Sequence, residues 1–379
     1  MTGLKDLSTE LLLFIASYLP SGALHSLALT SKELSTAAYD ELYKKLHLPT
    51  PDGNASDWSH RIFFLVRTLS MRPHLAERIV ELDVSVCSRN DDLHSGGPIA
   101  AGSSAIGRIL DVVPVGSQLA NERWVREVYS ASSEAWLGLL LYMLPNLEDL
   151  TARFFDRHDE YPPMAENASF RALFEDPEID LNTVPGLRKV KNLELHCKAS
   201  TWKLCCLPNL KRMRLGPNVD LSLHYEICEP SSQVEEIYTE QASGILLPPA
   251  QPMFLHERHL RSTSFSTLRR LSISLDNGWG HIDAENIGSF ANLLPKIEPM
   301  VHTLEELRVT VLQGTYPVFL NLVDPVPVDS LNRFYKLKVL EVPQALILPR
   351  GFDHLASRSD FSMTDYSYLP TTLEALQIS

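Results

Sequence analysis

Two groups of residues in the sequence carry side chains suited to metal binding. Cys205 and Cys206 are adjacent, and His256 and His259 lie three residues apart, which places two imidazoles on one helical turn. A structural metal site needs further ligands close by, and neither group has them. Both groups are therefore interpreted as core or surface residues, and the sequence predicts no metal site and no cofactor.

The motifs of common enzyme classes are incomplete. The segment Gly278-Trp279-Gly280 lacks the third glycine of a dinucleotide-binding turn, and no phosphate-binding loop, zinc-protease or serine-hydrolase signature occurs. The carboxylate pairs Glu235-Glu236 and Glu305-Glu306 occupy variable positions of a repeat, where solvated surface is favoured over acid–base catalysis. The sequence therefore predicts a protein without catalytic residues.

The composition narrows the class of partner. The chain has 34 basic and 47 acidic side chains and a net charge of −13. Binding to nucleic acids or anionic membranes depends on clustered lysine and arginine, so neither partner is expected. The sequence has no signal peptide, no apolar run long enough to span a membrane and no paired cysteine spacing. We therefore expect a cytoplasmic protein, a nuclear protein, or both.

A repeated apolar pattern is the main clue to the fold. Leucine supplies 61 of the 379 residues, and 379 residues exceed the size of one compact core. The pattern apolar-x-x-apolar-x-apolar occurs nine times, and its copies begin at Ile79, Leu147, Val190, Leu210, Val234, Leu268, Leu304, Leu337 and Leu373. Its last three positions predict a short strand with one buried face. Strands that cannot bury this face alone indicate a stacked solenoid.

These copies resemble leucine-rich repeats, and the resemblance covers residues 76–379. Most copies are further apart than the roughly 20–29 residues typical of such repeats, and only Asn218 matches the usual internal asparagine. The resemblance therefore implies an irregular horseshoe. Helices are expected at 133–144 and 284–294, with insertions near 87–116 and 156–180 that are interpreted as solvated loops. The ninth copy stops one residue before Ser379, so we expect an uncapped end explained by truncation, a partner or another segment folding back.

The residues between the buried positions of each copy are predicted to point away from the core. Several of them are arginine or tyrosine, which are frequent hot spots in protein interfaces. The candidate substrate-binding residues are Arg212, Arg214, Tyr238, Arg270 and Arg308. The alternative is that these side chains only make the surface soluble.

Residues 4–48 predict three short helices. Ser8 is a candidate N-cap for the first, Pro20 and Gly22 end it, and Thr30 with Glu33 has the spacing of a capping box before the third. The apolar stripe of the third helix is Leu34, Ala38, Leu42 and Leu46. About 45 residues form a small core, so the apolar excess suggests a surface covered by another protein.

This segment resembles an F-box, in the form common among fungal proteins. The matching positions, which the resemblance makes the candidate adaptor-binding residues, are Leu7, Glu10, Leu11, Leu12, Ile15, Leu19, Leu24, Leu27, Ser31 and Lys32. Ser8 replaces the usual proline and Leu34 replaces a frequent aromatic residue, and both departures weaken the expected adaptor affinity. The alternative interpretation is a helical cap on the solenoid.

The resemblance implies an α/β chain with three parts: an F-box over 1–48, a linker or helical connection over 49–75, and a leucine-rich-repeat-like domain over 76–379. Such a chain is the substrate-recognition subunit of a Skp–cullin–F-box ubiquitin ligase. It docks a Skp-type adaptor, and through it a cullin, and holds a protein substrate, while other subunits supply the catalysis. The alternative is a non-catalytic interaction scaffold outside ubiquitin transfer.

Overall fold

Each of the nine repeated segments folds as a short strand, and a tenth strand precedes them along the chain. The ten strands form a parallel sheet, in which the order of the strands follows their order in the sequence. The chain is therefore α/β. Within the described residues, no helix combines the length and the apolarity that crossing a bilayer requires.

The computed structural model describes a defined part of the chain, namely residues 4, 7–48, 56–87, 128, 133–155, 181–196, 204, 207–216, 233–240, 267–275, 297–311, 331–343 and 369–378. The chain divides into two compact units, residues 1–192 and 193–379. Several sequence predictions concern residues outside the described ones: the insertions at 88–116 and 156–180, Asn218, and the helix expected at 284–294.

The first unit contains all the α-helices described by the structure. Its elements are α1 (Thr9–Ala16), α2 (Ser21–Ala28), α3 (Lys32–Lys44), β1 (Lys45–Leu48), α4 (Ser56–Met71), α5 (Pro73–Ala76), β2 (Glu81–Cys87), α6 (Ser133–Met143), β3 (Asp149–Phe155) and the 3-10 turns Leu181–Thr183 and Pro185–Leu187. The three N-terminal helices and the helix expected at 133–144 are confirmed. Most of the predicted connection at 49–75 is helix α4.

The second unit contains the remaining strands, the first of which begins at the boundary residue Asn192. Its elements are β4 (Asn192–His196), β5 (Arg212–Leu215), β6 (Glu236–Glu240), β7 (Arg270–Leu275), β8 (Glu306–Val311), β9 (Val339–Val342), β10 (Ala375–Ile378) and the 3-10 turns Glu298–Met300 and Leu331–Arg333. All nine strands predicted from the repeated pattern are therefore confirmed.

The register of the sheet places equivalent residues of the repeat side by side. Ile237 pairs with Leu271, which in turn pairs with Leu307. These three side chains are 0–4% exposed, whereas the residues between them along each strand face outward. These residues thus form one continuous apolar row across β6, β7 and β8, because no strand could bury its leucines alone.

A shared backbone contact sets this register. At the start of a strand, two consecutive N–H groups donate to one carbonyl oxygen, at 2.8 to 3.1 Å, and this carbonyl belongs to the residue just before the neighbouring strand. The contact recurs seven times in the described residues, at the carbonyls of Val80, Glu148, Lys211, Glu235, Arg269, Glu305 and Lys338. Because the accepting carbonyl always follows the first residue of the repeat, each copy meets its neighbour at the same position.

Strand β1 corrects the sequence analysis, which placed Leu46 on the third helix. Helix α3 ends at Lys44 and the chain continues directly as β1, where Leu46 pairs with Leu82 of β2. Lys45 Nζ lies 2.6 Å from Glu81 Oε2, and this contact raises the pKa of Lys45. The segment from Tyr43 to Leu48 is therefore a tenth copy of the apolar-x-x-apolar-x-apolar pattern.

Helices α4 and α6 form the other part of the interior of the first unit. Ile62, Val66 and Leu69 are fully buried along one side of α4. Phe63 of the same helix meets Trp136 of α6 edge to face, with ring centroids 5.1 Å apart. Trp136 is 1% exposed. The i, i+4, i+7 spacing of the buried α4 residues thus follows the helical period.

Gly186 allows a 3-10 turn to approach helix α6 closely. A Cβ at this position would overlap the backbone carbonyl of Leu141, whereas a Cβ at Gly22 in α2 would meet nothing within 4 Å. We expect Gly186→Ala to lower the free energy of unfolding by about 1–3 kcal/mol, because backbone atoms must move. Gly22→Ala should raise it by about 0.5 kcal/mol. Urea unfolding of both variants measures the difference, and equal effects would contradict close packing at Gly186.

Candidate docking site

Helix α1 begins at a polar cap. The Ser8 hydroxyl accepts a hydrogen bond from the N–H of Leu11 at 3.5 Å, so the predicted N-cap is confirmed. A backbone N–H at Glu10 and the Ser8 hydroxyl lower the pKa of the Glu10 carboxyl. A charged carboxylate in the first turn also interacts favourably with the helix dipole. These local contacts define where α1 starts and therefore which of its residues face outward.

The interior of the three-helix segment separates the candidate adaptor-binding residues into two groups. Leu12 and Leu24 are 9% and 4% exposed and belong to the apolar clusters that hold the helices together. Half-buried side chains pack around these clusters, namely Leu7, Leu19 and Leu27. The candidates that lie fully on the surface are Glu10, Leu11, Ile15 and Lys32. The structure therefore leaves Leu11 and Ile15 as the apolar candidates open to a partner.

Four large side chains form an exposed stripe along α1 and the turn that follows it, here called the α1 stripe: Leu11, Phe14 and Ile15 of the helix and Tyr18 of the turn. They are 51%, 61%, 37% and 73% exposed, respectively. Phe14 and Tyr18 contact each other edge to face at 5.1 Å. The spacing i, i+3, i+4, i+7 is that of an amphipathic helix that inserts into an apolar groove. The α1 stripe is thus a surface suited to binding another protein.

Phe14 and Tyr18 were not among the residues predicted from the sequence, and neither was Leu29 of the α2 C-terminus, which is 73% exposed. The sequence did contain a signal for Phe14 and Tyr18, namely the helical period. Once Leu12 and Ala16 are recognised as the inner face of α1, the helical period assigns Phe14 and Tyr18 to the outer face with Leu11 and Ile15. The sequence pattern alone did not establish which face was the inner one.

Ser31 has a structural role that differs from the sequence prediction. The predicted capping box used Thr30, but the N-cap of α3 is Ser31, whose hydroxyl accepts from the N–H of Leu34 at 3.3 Å. The Thr30 hydroxyl instead donates to the carbonyl of Leu27 at the end of α2, at 2.7 Å. The prediction was wrong by one residue. Thr30 and Ser31 both carry a hydroxyl and both precede the apolar stripe of α3, so the sequence pattern did not distinguish them.

The candidate substrate-binding residues all lie on strands β5 to β8, at positions that alternate with the buried ones. Arg214 lies over the Tyr238 ring at 4.7 Å and its guanidinium is 3.3 Å from Glu240. Desolvation lowers the pKa of Arg214, but the hydrogen bond to Glu240 and nearby negative charges outweigh it, so that the pKa is raised. The structure thus brings Arg214 and Tyr238 together.

Arg270 and Arg308 are linked through a shared acid. Arg270 contacts Glu236 at 3.0 Å and Glu306 at 3.7 Å, and Arg308 contacts Glu306 and, at 3.6 Å, Glu341. Arg212, the remaining candidate, is exposed and pairs in register with Glu236. These charges are therefore balanced mainly within the sheet, where exposed pairs of this kind contribute little to stability.

The residues first examined for metal chemistry lie outside the described part of the chain, namely Cys205, Cys206, His256 and His259. In the part that is described, no group of three His, Cys, Asp or Glu side chains is arranged to hold a metal ion. Comparison of the chain with protein-family models and with curated proteins finds no match. Arguments about function therefore depend on the surfaces described above.

The two hydroxyls at the start of α3 give a direct test of the cap. We expect Ser31→Ala to lower the free energy of unfolding by about 1 kcal/mol, because the N–H of Leu34 loses its partner. Thr30→Ala should have less than half this effect, since its hydroxyl only donates to an exposed carbonyl. Urea unfolding followed by circular dichroism compares them. A larger loss for Thr30→Ala would support the capping box predicted from sequence.

Proposed function

We propose that the chain is the substrate-recognition subunit of a Skp–cullin–F-box ubiquitin ligase. In this proposal α1 to α3 are an F-box that docks a Skp-type adaptor, and the strands form an irregular leucine-rich-repeat horseshoe that holds a protein substrate. The chain supplies no reacting group. It acts in the cytoplasm, the nucleus or both, where the adaptor and the cullin are available.

The α1 stripe is the observation that carries this proposal. Four large apolar or aromatic side chains on one helix and the turn after it are costly to leave in water, and contiguous apolar patches on a surface usually mark an interaction site. Leu11 and Ile15 belong both to the stripe and to the positions that match the F-box pattern. Leu12 and Leu24 are buried, as expected if some of the matching positions form the core of the small helical segment while others form its docking face.

The sheet supports the second half of the proposal. The strands that bury one face leave a broad row of side chains on the other. Within that row, the cation–π pair of Arg214 and Tyr238 is an anchor of the kind found in protein interfaces. Paired charges such as Arg270 and Glu306 favour a protein surface of matching pattern over a strongly charged polymer. Substrate recognition at this face remains part of the proposal.

The proposed mechanism is one of proximity. Holding a substrate and a ubiquitin-charged carrier enzyme in one assembly converts an encounter in solution into a step at an effective concentration on the order of millimolar. The rate gain comes from positioning, so the chain needs no acid, base or nucleophile of its own. A surface made of apolar anchors and balanced charges is sufficient for such positioning.

Binding of the purified adaptor to the full chain tests the docking half. We expect Leu11→Asp with Ile15→Asp to weaken binding at least about thirtyfold, because each charge would be buried in an apolar interface and central anchors contribute about 2 kcal/mol or more. Phe14→Ala and Tyr18→Ala should each weaken it about tenfold or more. Isothermal titration calorimetry measures the affinities.

A matched control changes equally exposed apolar residues elsewhere in the same unit. Phe64 and Met71 of α4 are 49% and 67% exposed, and Phe64→Asp with Met71→Asp should leave adaptor binding unchanged. Unchanged circular dichroism must show that each variant folds. Failure of the intact chain to bind would reduce α1–α3 to a helical cap, and adaptor binding without cullin capture would favour the scaffold alternative.

A further inference from the structure

The edge strand β10 exposes apolar residues whose counterparts on the neighbouring strand β9 are buried. Leu376 and Ile378 pair in register with Leu340 and Val342 of β9. The β9 residues are 0% and 1% exposed, but Leu376 is 38% and Ile378 is 47% exposed. In the described part of the chain β10 has one strand neighbour, β9. As far as the described residues show, this edge of β10 therefore combines backbone that pairs with no further strand and partly exposed apolar side chains.

The backbone at this edge is prepared for one more strand. Glu374 and Ala375 both donate to the carbonyl of Lys338, which repeats the contact found along the sheet. The equivalent acceptor for a further strand is the carbonyl of Glu374, and no described residue donates to it. A segment lying parallel to β10 would make the same two hydrogen bonds as each strand before it.

The charge of the residues at the strand starts alternates from strand to strand in the second unit. From β5 to β10 these residues are, in order, Lys211 and Arg212, Glu235 and Glu236, Arg269 and Arg270, Glu305 and Glu306, Lys338, and Glu374. Ion pairs cross the strands accordingly, for example Lys211–Glu235 at 3.5 Å and Lys338–Glu374 at 3.7 Å. The acidic strands β6 and β8 each lie between two strands with basic starts. Acidic β10 has such a strand on one side.

We propose that the edge of β10 binds a segment of a partner protein as an added parallel strand. The segment has the pattern apolar–basic–basic–apolar–x–apolar. Its second and third apolar residues lie beside Leu376 and Ile378 and continue the apolar row. Its backbone donates to the Glu374 carbonyl, and its basic residues face the Glu374 carboxylate. This surface shares no residue with the α1 stripe, and the proposal does not depend on adaptor binding.

Fluorescence anisotropy with the full chain tests the proposal, and strand β7 supplies the probe. The labelled octapeptide Leu-Arg-Arg-Leu-Ser-Ile-Ser-Leu reproduces residues 268–275 and has the required pattern. Its matched control replaces both arginines with glutamate. We expect the basic peptide to bind about fivefold more tightly than the control, the range that exposed opposite-charge and like-charge contacts produce.

Two variants of the chain identify the surface. Glu374→Lys should reverse the preference between the two peptides, and Ile378→Asp should remove the binding of both while leaving the unfolding midpoint unchanged within error. Absence of binding by the basic peptide, or equal binding of both peptides, would overturn the proposal. Concentration-dependent self-association of the intact chain that Ile378→Asp abolishes would also overturn it, since the occupant would then be a second copy.

Discussion

The contact between neighbouring strands in which two N–H groups share one carbonyl, found seven times in the described residues, is the one on which the rest of the structure depends. It holds at repeats whose starts lie 24 to 36 residues apart in the second unit, so the length of the intervening segment does not alter it. Because the shared carbonyl always follows the first residue of the repeat, leucines align with leucines and outward charges with outward charges. Burial of the apolar row and the cross-strand ion pairs are both consequences of this register.

Much of the fold could be predicted from the sequence, and its main failure has a physical cause. The nine strands were predictable because each copy has the same internal pattern: an apolar residue, two variable residues, and then the alternation of apolar and outward residues that a strand requires. Strand β1 was missed because Leu34, Ala38, Leu42 and Leu46 continue a helical period of four past the point where the helix ends. The segment satisfies both periods, and only the pairing of Leu46 with Leu82 selects the strand.

The candidate site was predictable in part for a similar reason. Leucines of α1 and α2 look alike in the sequence, yet Leu12 and Leu24 form the interior while Leu11 faces outward. Whether a given leucine forms the interior or faces outward depends on how the three helices pack, and the sequence of one helix alone does not contain that information. On the sheet, alternation correctly placed Arg270 and Arg308 on the outer side, but their shared partner Glu306 depends on neighbouring strands that are far apart in sequence.

The order of the strands has a consequence for how the second unit can be made on the ribosome. Each strand from β6 to β10 pairs with the strand synthesised just before it, so growth of the sheet needs no segment that has yet to be translated. At about 5–20 residues per second, a repeat of 34 residues takes roughly 2–7 seconds to appear, so each strand is complete seconds before the next one emerges. The alternating charges favour the same order: if β7 paired with β5 instead of β6, Arg270 would lie opposite Arg212, and like charges directly opposite each other on neighbouring strands are destabilising.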